Sequence, residues 1–381
     1  MVTGNQAYQK SINLSLVMRA IRDAPGISRT EIATTTGLTK STVGNLARQL
    51  SARGLIRESR GERRAPDGVD APSGGAGRPR VGLRIADQAA TIVGVELRRD
   101  AVSTVTLDLA GGVVDRRSSR SSADRAPFQT LQEAWERAGM LLRQEPPRRC
   151  AGIGVALPAT TDPIRGKILE SEDFAMEGFN FESLTVVDSI VPVLLENDAN
   201  AVAWGAIGRA HSAPRAISEE LLVVTGRVDA ASGTLRIGTG IVLGNRVFYG
   251  GDYGAGEFRS VRWRSGTMGE LAERGGAQRE VLVELCENLS VPISMLRPYQ
   301  VVVAGDLVGV LPEIHDILRT ELRGAYVDPI VSGVPFVAAG DEEYAVASGA
   351  AYMFLEHLFA IPGVDRTRPQ GVPEWQDLTV A

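Results

Sequence analysis

Five side chains between positions 40 and 48, Lys40, Ser41, Thr42, Asn45 and Arg48, are of the types that grip or read a nucleic acid. Hydroxyls and carboxamides pair with base edges in the major groove, and ammonium and guanidinium groups pair with phosphates. Their spacing places them on one side and at the first turn of a helix. The other side carries Val43, Leu46, Ala47 and Leu50 at i, i+3, i+4 and i+7, which buries one stripe. A shorter helix must precede it. Ser28 followed three residues later by Glu31 has the pattern of a capping box, Ile32 and Ala33 supply a small apolar face, and Gly37 stands where a left-handed residue ends a helix. Thr39 then caps the second helix. The candidate DNA contacts of this helix-turn-helix are Ser28, Arg29, Thr39, Lys40, Ser41, Thr42, Asn45 and Arg48. A solvated helical hairpin without a partner is the competing reading. The DNA reading outweighs it because turn glycine, packing stripe and polar N-terminus occur together.

Further elements are needed to close this small core. Leu14, Val17, Met18 and Ile21 form the stripe of an opening helix that Pro25-Gly26 ends. Residues 54–58 and 81–85 read as an antiparallel strand pair, the wing of a winged helix-turn-helix domain spanning residues 1–86. Residues 59–80, rich in Gly, Pro and Arg, cannot bury enough apolar surface to order themselves and read as a long flexible wing tip. Its end, Gly77-Arg78-Pro79-Arg80, has the extended Gly-Arg-Pro form that lies in a narrow A·T-rich minor groove, so Arg78 and Arg80 join the candidate DNA contacts. An ordinary linker with solvated cations explains the same residues nearly as well.

The charge distribution agrees with one basic module on an acidic body. Of 381 residues, the first 85 contain 14 Lys+Arg against 6 Asp+Glu, a balance of +8; the remainder hold 27 against 40, or −13, for the net −5. Only the small domain is therefore suited to approach a polyanion. The apolar fraction of 44% and charged fraction of 23% are those of a soluble globular chain. Cys150 and Cys286 lack metal-ligand spacing and read as small buried hydrophobes in a reducing compartment. No apolar run reaches ~18 residues and the N-terminus lacks a signal-peptide core, so a cytoplasmic protein with no membrane partner is expected.

From Thr91 onward strands and helices alternate. Residues 91–95 and 103–109 read as a hairpin, 128–142 as a helix, 151–156 and 191–195 as strands, 199–210 as an Ala-rich helix, and 220–225 and 235–243 as strands. A glycine-rich loop follows at 250–257, then a helix at 278–289, a strand at 301–304 and a helix at 312–321. An amphipathic helix at 345–359 is followed by a tail, beyond Pro362, that reads as loose. Such order predicts two α/β lobes with a cleft between them.

Gly152–Asp162 (GIGVALPATTD), Leu194–Gly205 (LLENDANAVAWG), Gly238–Glu257 (GTGIVLGNRVFYGGDYGAGE) and a late Ser348-Gly349-Ala350-Ala351 helix stand behind this winged helix-turn-helix. Together they make the chain resemble ROK-family transcriptional regulators, which share an actin-like, hexokinase-type two-lobed domain with sugar kinases. The resemblance implies such an effector domain over residues 87–381, with lobes at 87–195 plus the C-terminal helix and at 196–340. It implies that Asn197 and Asp198 contact sugar hydroxyls, that Asp198 matches the base of the kinase members, and that Glu257, beside Gly256, matches a second sugar-binding carboxylate. A carboxylate accepts a hydroxyl proton and a carboxamide both donates and accepts, which suits those roles. A turn and N-cap after a buried strand is the structural reading of Asn197 and Asp198, and both can hold. Asp162 reads rather as a turn residue.

Three departures from the family pattern follow. Where kinase members have Asp-x-Gly-Gly-Thr, this chain has Glu96-Leu97-Arg98-Arg99-Asp100, without the bare glycines that let a phosphate approach the backbone. Gly238-Thr239-Gly240 matches a second phosphate loop but equally suits a closely packed strand. The family's His three residues after the Glu is Ser260 here, and the cysteine cluster for structural zinc is absent, so no metal and no cofactor are expected. The expected protein is a DNA-binding regulator, a repressor without catalytic residues. Its partners are a double-stranded DNA operator, a second copy or three of itself, and a small polar effector such as a sugar. An active ATP-dependent sugar kinase with a fused DNA-binding domain, and a ligand-independent DNA-binding protein with a degenerate cleft, are the alternatives.

Overall fold

The structure, a computed structural model, describes residues 3–60, 81–120, 130–143, 149–181, 191–212, 219–228, 235–257, 277–322, 333–365, 368–369 and 371–378. The N-terminal module consists of α1 (Thr3–Asp23), β1 (Ile27–Ser28), α2 (Arg29–Thr36), α3 (Lys40–Ala52), β2 (Ile56–Arg60) and β3 (Val81–Ile85). The strand pair read from sequence forms, β2 antiparallel to β3, and two residues of β1 add a third strand on the other side of β3. That extra strand was not legible, because two residues carry no periodicity. Leu14, Val17, Met18, Ile21, Ile32, Val43, Leu46, Leu50, Leu55 and Leu83 close one buried core, which is why three short helices and a wing are stable together. Ser59 and Arg60, read as the start of the flexible wing tip, instead extend β2 and pair with Gly82 and Val81; the rest of the tip, 61–80, with Arg78 and Arg80, lies outside the described residues.

The first lobe is a five-stranded sheet ordered β11-β7-β4-β5-β6. Its strands are β4 (Thr91–Leu97), β5 (Ala101–Asp108), β6 (Val113–Arg120), β7 (Cys150–Leu157) and β11 (Val193–Asn197). One face takes α4 (Leu131–Arg143), and a small antiparallel sheet of β8 (Thr160–Asp162), β9 (Lys167–Ser171) and β10 (Met176–Asn180) extends it. Edge strand β6 escaped the sequence reading because its Val-Val-Asp-Arg-Arg-Ser-Ser-Arg run is polar and largely exposed. The turn reading of Asp162 holds: its Oδ1 accepts the Ile164 and Arg165 N–H groups at 3.1 and 3.0 Å.

Helix α5 (Asp198–Ser212) leaves the end of β11 and packs on α8 (Ala345–Phe359). Their approach needs glycine, since a Cβ on Gly349 would stand 1.8 Å from the Ala201 carbonyl oxygen. The second lobe is a sheet ordered β14-β13-β12-β15-β16. It comprises β12 (Glu220–Val228), β13 (Leu235–Leu243), β14 (Arg246–Val247), β15 (Gln300–Gly305) and β16 (Phe336–Ala338), with α6 (Ala277–Leu296) and α7 (Leu311–Thr320) against it. Within β13, Gly238 and Gly240 are packed closely: an added Cβ would meet Thr225 Oγ1 at 2.8 Å and the Ala199 carbonyl oxygen at 2.9 Å.

One expectation is overturned. Where it is described, the tail after Pro362 is not loose: Val372, Trp375 and Leu378 are buried, and the Trp375 ring lies 4.8 Å from that of Phe359. Three scattered apolar residues have no repeat, so only the groove they fill reveals them.

Candidate functional site

The helix-turn-helix is built as its caps require. Ser28 and Glu31 close both halves of the capping box, Gly37 takes φ +71°, and the Thr39 hydroxyl accepts the Thr42 N–H at 3.1 Å. The buried stripe of α3 is Val43, Leu46, Ala47 and Leu50. Thr39, Lys40, Ser41, Asn45 and Arg48 are exposed on the opposite side, with Thr42 partly covered. Arg48 donates to Asn45 Oδ1 at 3.2 Å, which holds a cation and a carboxamide as one unit. Ser28 and Arg29 have local duties, the cap and an ion pair from Arg29 to Glu58 of β2 at 2.8 Å. Gly44 sits mid-helix, and a Cβ there would meet nothing within 4 Å. Glycine inside a helix lowers stability, so an open one marks a place where another surface can come close to the backbone.

The second site is a narrow pocket between the lobes, lined by Thr160, Asn197, Asn200, Thr239, Tyr253 and Gly256–Glu257 among others. Asn197, at the end of β11, is the cap of α5: its Oδ1 accepts the Ala199 and Asn200 N–H groups at 2.9 and 3.1 Å, while Nδ2 donates to the Ala159 carbonyl at 2.9 Å. Its oxygen is thereby committed to structure, and the second amide hydrogen is what it can offer a ligand. Asp198 accepts the Ala199 N–H through Oδ1 at 2.8 Å. Burial pushes its carboxyl up to about 7, with the nearby acids Glu96, Asp173 and Glu257 adding to the effect and the Ala199 hydrogen bond opposing it. Glu257 is exposed and accepts the Thr160 hydroxyl at 2.8 Å, a contact between a loop of the second lobe and β8 of the first. Asn197, Asp198, Gly256 and Glu257, distant in sequence, are thus brought together.

Sequence reasoning quoted Glu196 within its motif but gave it no role. It is fully buried, and it is the post to which the pocket is tied. Oε1 accepts the Asn197 N–H at 2.9 Å and the Asn200 amide at 3.4 Å; Oε2 accepts the Tyr249 hydroxyl at 2.6 Å and the Trp204 indole N–H at 3.1 Å. Burial raises its pKa against those hydrogen bonds. A buried carboxylate so satisfied fixes β11, α5 and the glycine-rich loop in one geometry. On the other side of Trp204 lies His357 of α8, ring centroids 5.0 Å apart, its pKa lowered to about 3 by burial.

At the end of β4, where the kinase motif departs, Glu96 receives two arginines. Arg227 of β12 donates to Oε1 in a short contact across the lobes, and Arg98 stands 3.6 Å from the same oxygen. Glu96 Oε2 is buried without a partner. Arg98 is itself turned to Asp100 at 3.0 Å.

A larger hollow of about 700 Å³, lined by Trp135, Pro163–Gly166, Phe181, Val191 and residues 193–195 of β11 among others, includes none of these groups in its lining. Phe181 and Val191 flank a stretch outside the described residues, and the hollow's charged side chain, Arg165, is paired with Asp162 at 2.9 Å. Among the described residues no cluster of three or more His, Cys, Asp or Glu could hold a metal ion; Ser260 lies outside them. Burial lifts the Cys150 and Cys286 thiols to about 11 and about 12, leaving them unreactive. No helix among the described residues is long and apolar enough to cross a membrane.

Comparison with known proteins finds similarity in both the N-terminal module and the two-lobed body. Residues 15–65 fit the MarR family model. The chain is 26% identical over 256 residues to the xylose repressor of Caldicellulosiruptor bescii, covering 67% of this chain and 59% of that protein. It is 26% identical over 286 residues to the DNA-binding transcriptional dual regulator NagC of Escherichia coli, covering 74% and 61%. The matched stretch thus spans about three-fifths of each relative's length. In fold it is similar to a ROK family transcriptional regulator homologous to the E. coli Mlc protein, with TM-score 0.65, 16% identity and coverage of 91% and 96%. A ROK family glucokinase from Streptomyces griseus, in complex with glucose and AMPPNP, matches 69% of this chain and 99% of its own at TM-score 0.54 and 18% identity. With a helix-turn-helix module in front of a sugar-kinase-like two-lobed body, this chain is similar in fold to the ROK-family transcriptional regulators.

Proposed function

We propose that the chain is a DNA-binding repressor whose operator affinity is set by a hydroxyl-rich ligand, a sugar or sugar derivative, bound between the lobes of the second domain. The observation that carries this reading is the pairing, in one chain, of an exposed Lys40/Ser41/Asn45/Arg48 row on a capped helix with a pocket lined by Asn197 and Glu257, beside which Asp198 is buried. Two carboxylates satisfy hydroxyl donors that would otherwise be buried unpaired, and the remaining amide hydrogen of Asn197 meets a hydroxyl oxygen. The xylose repressor and an N-acetylglucosamine repressor of Escherichia coli, 26% identical over 286 residues, support the same class of ligand. A homo-oligomer, dimer or tetramer, would set two recognition helices at the spacing of a palindromic operator, working in the cytoplasm. Ligand would act by favouring one lobe arrangement, and only by its difference in affinity for the two.

Phosphoryl transfer does not belong to this reading. A kinase must cradle a nucleotide, since positioning and charge stabilisation supply nearly all of that catalysis. The residues present do not fit one: Arg98 and Arg99 stand where the kinase pattern keeps bare glycine, and beside them Arg227 reaches Glu96 across the lobes. Asp198 would then act as a hydroxyl acceptor without a phosphoryl donor. Enrichment of duplexes from a random pool, followed by competition with a sugar panel and an ATP-turnover assay, tests the whole reading. Sugar-dependent ATP consumption, or failure to enrich any duplex, would overturn it.

A further inference from the structure

We propose that the described residues 361–365, 368–369 and 371–378 act as a strap that sets the recognition helix from the ligand lobe, with Arg53, Trp375 and Asp365 as its attachment points. The inference rests on the reading of α3 as a DNA reader and extends it to the residues that position it.

The strap meets the DNA module at the end of the reading helix itself. Arg53 is the C-cap residue of α3, its N–H bonded to the Gln49 and Ser51 carbonyls. Its guanidinium donates to the Gln376 carbonyl in a short contact. Ser11 of α1 donates to Glu374, and the Tyr8 hydroxyl to the Pro362 carbonyl at 3.3 Å. Between these points Trp375 is 1% exposed and stacks edge-on to Phe359. Arg22 of α1 lies 4.3 Å over the Phe359 ring and pairs with Glu356 at 3.1 Å. A close-packed aromatic cluster of this kind transmits displacement rather than absorbing it.

Arg368 gathers the strap onto α8. It donates to the His357 carbonyl at 3.2 Å, to Glu374 at 3.0 Å, and to the Val372 and Pro373 carbonyls at 3.3 and 3.1 Å. The far end belongs to the ligand lobe: Arg246 of β14 pairs with Asp365 Oδ1 at 2.8 Å, while Oδ2 accepts the Ile361 N–H at 2.8 Å. Two residues beyond β14 is Tyr249, which anchors the glycine-rich loop to Glu196. The pocket loop, the central helix and the end of α3 are therefore tied to one segment. The Arg246–Asp365 tie is open to solvent, its arginine side chain 57% exposed. Such a pair contributes little to stability, which suits a joint between parts that move.

The test uses the full chain and a duplex enriched from a random pool by wild type, against its scrambled counterpart. Arg53→Met and Trp375→Ala should each lower the ratio of enriched to scrambled binding by about tenfold, with scrambled binding, which rests on phosphate neutralisation, held within about twofold. Arg53→Lys, which keeps a donor, should recover most of the ratio. Both damaging variants should speed amide hydrogen exchange in residues 46–52 as well as 371–378, with β12 and β15 unchanged. Coupling is reciprocal, so bound duplex should alter exchange of residues 248–257 in wild type and no longer do so in Arg246→Met. A strap freed by Trp375→Ala without any change at α3 would overturn the proposal, as would a duplex response surviving Arg246→Met. If wild type enriches no duplex, it is the DNA reading that fails. Exchange at 46–52 in Arg53→Met then decides the strap alone: faster exchange supports it, unchanged exchange overturns it.

Discussion

Arg227 on β12 and Glu96 on β4 meet in an ion pair that joins the two lobes across the cleft. Glu96 is 1% exposed, and its second oxygen has no partner, so the carboxylate depends on Arg227 and Arg98 for compensation. Removing one partner of a buried pair costs more than the pair is worth, because the other charge is left behind. Arg227→Met should therefore destabilise the chain by about 2 kcal/mol, below the deeply buried range since Arg227 is partly solvated. Glu96→Gln in the same background should recover most of the loss. Urea unfolding followed by circular dichroism measures both; an Arg227→Met chain as stable as wild type would remove the bridge from the account.

The exposed side of α3 separates base reading from phosphate contact. Asn45→Ala should cost about 1–3 kcal/mol on the operator and little on random duplex, as expected for a carboxamide on a base edge. Lys40→Ala should weaken both duplexes and lower the salt slope by about one, as expected for a phosphate partner. Equal, salt-independent losses in two folded variants would contradict this orientation of the helix.

Gly44 offers a test in which stability and binding move oppositely. Its Cβ position is empty within 4 Å, so Gly44→Ala introduces no clash in the free protein. Alanine should raise stability by roughly 0.5–1 kcal/mol through helix propensity. The added methyl stands on the open side of α3 and should weaken operator binding. A variant that is both more stable and an equal binder would show that no DNA surface approaches there.

Asp198 predicts a pH signature. Burial lifts its carboxyl to about 7 from an ordinary value of 3.8. An acid raised in the folded state keeps its proton there after the unfolded chain has lost it. Its contribution to stability is therefore full below the unfolded value and declines as pH rises through the window up to about 7. Asp198→Asn should gain on wild type by on the order of 2 kcal/mol between about pH 4 and pH 8, read from melting temperatures across that range. A hydroxyl-rich ligand that donates to the charged form should bind more tightly above pH ~7 and release a proton on binding, measurable by calorimetry in buffers of different ionisation heat. A pH-independent affinity would mean that Asp198 does not contact the ligand in its charged form.

The parts of this protein that sequence alone determined are those held by neighbours in the chain. Ser28 with Glu31, Gly37, Thr39 and the Val43/Leu46/Leu50 stripe lie within a few residues of what they bond or bury, so a capped helix pair was legible. Strand β13 and helix α8 came out with their observed limits, because each has a long continuous periodicity. The motif at Glu196–Asn200 and the glycine loop marked where a pocket would be. Tertiary structure decided what those residues do there: that the Asn197 oxygen is spent on capping α5, that Glu196 ties three elements together, and that Arg227 closes onto Glu96. It also decided that the tail is packed, with Arg53 and Gln376 meeting across 323 residues of chain. A single arginine, carbonyl or tryptophan has no period and no local partner, and it gains meaning only when a distant surface supplies the complementary charge or the groove.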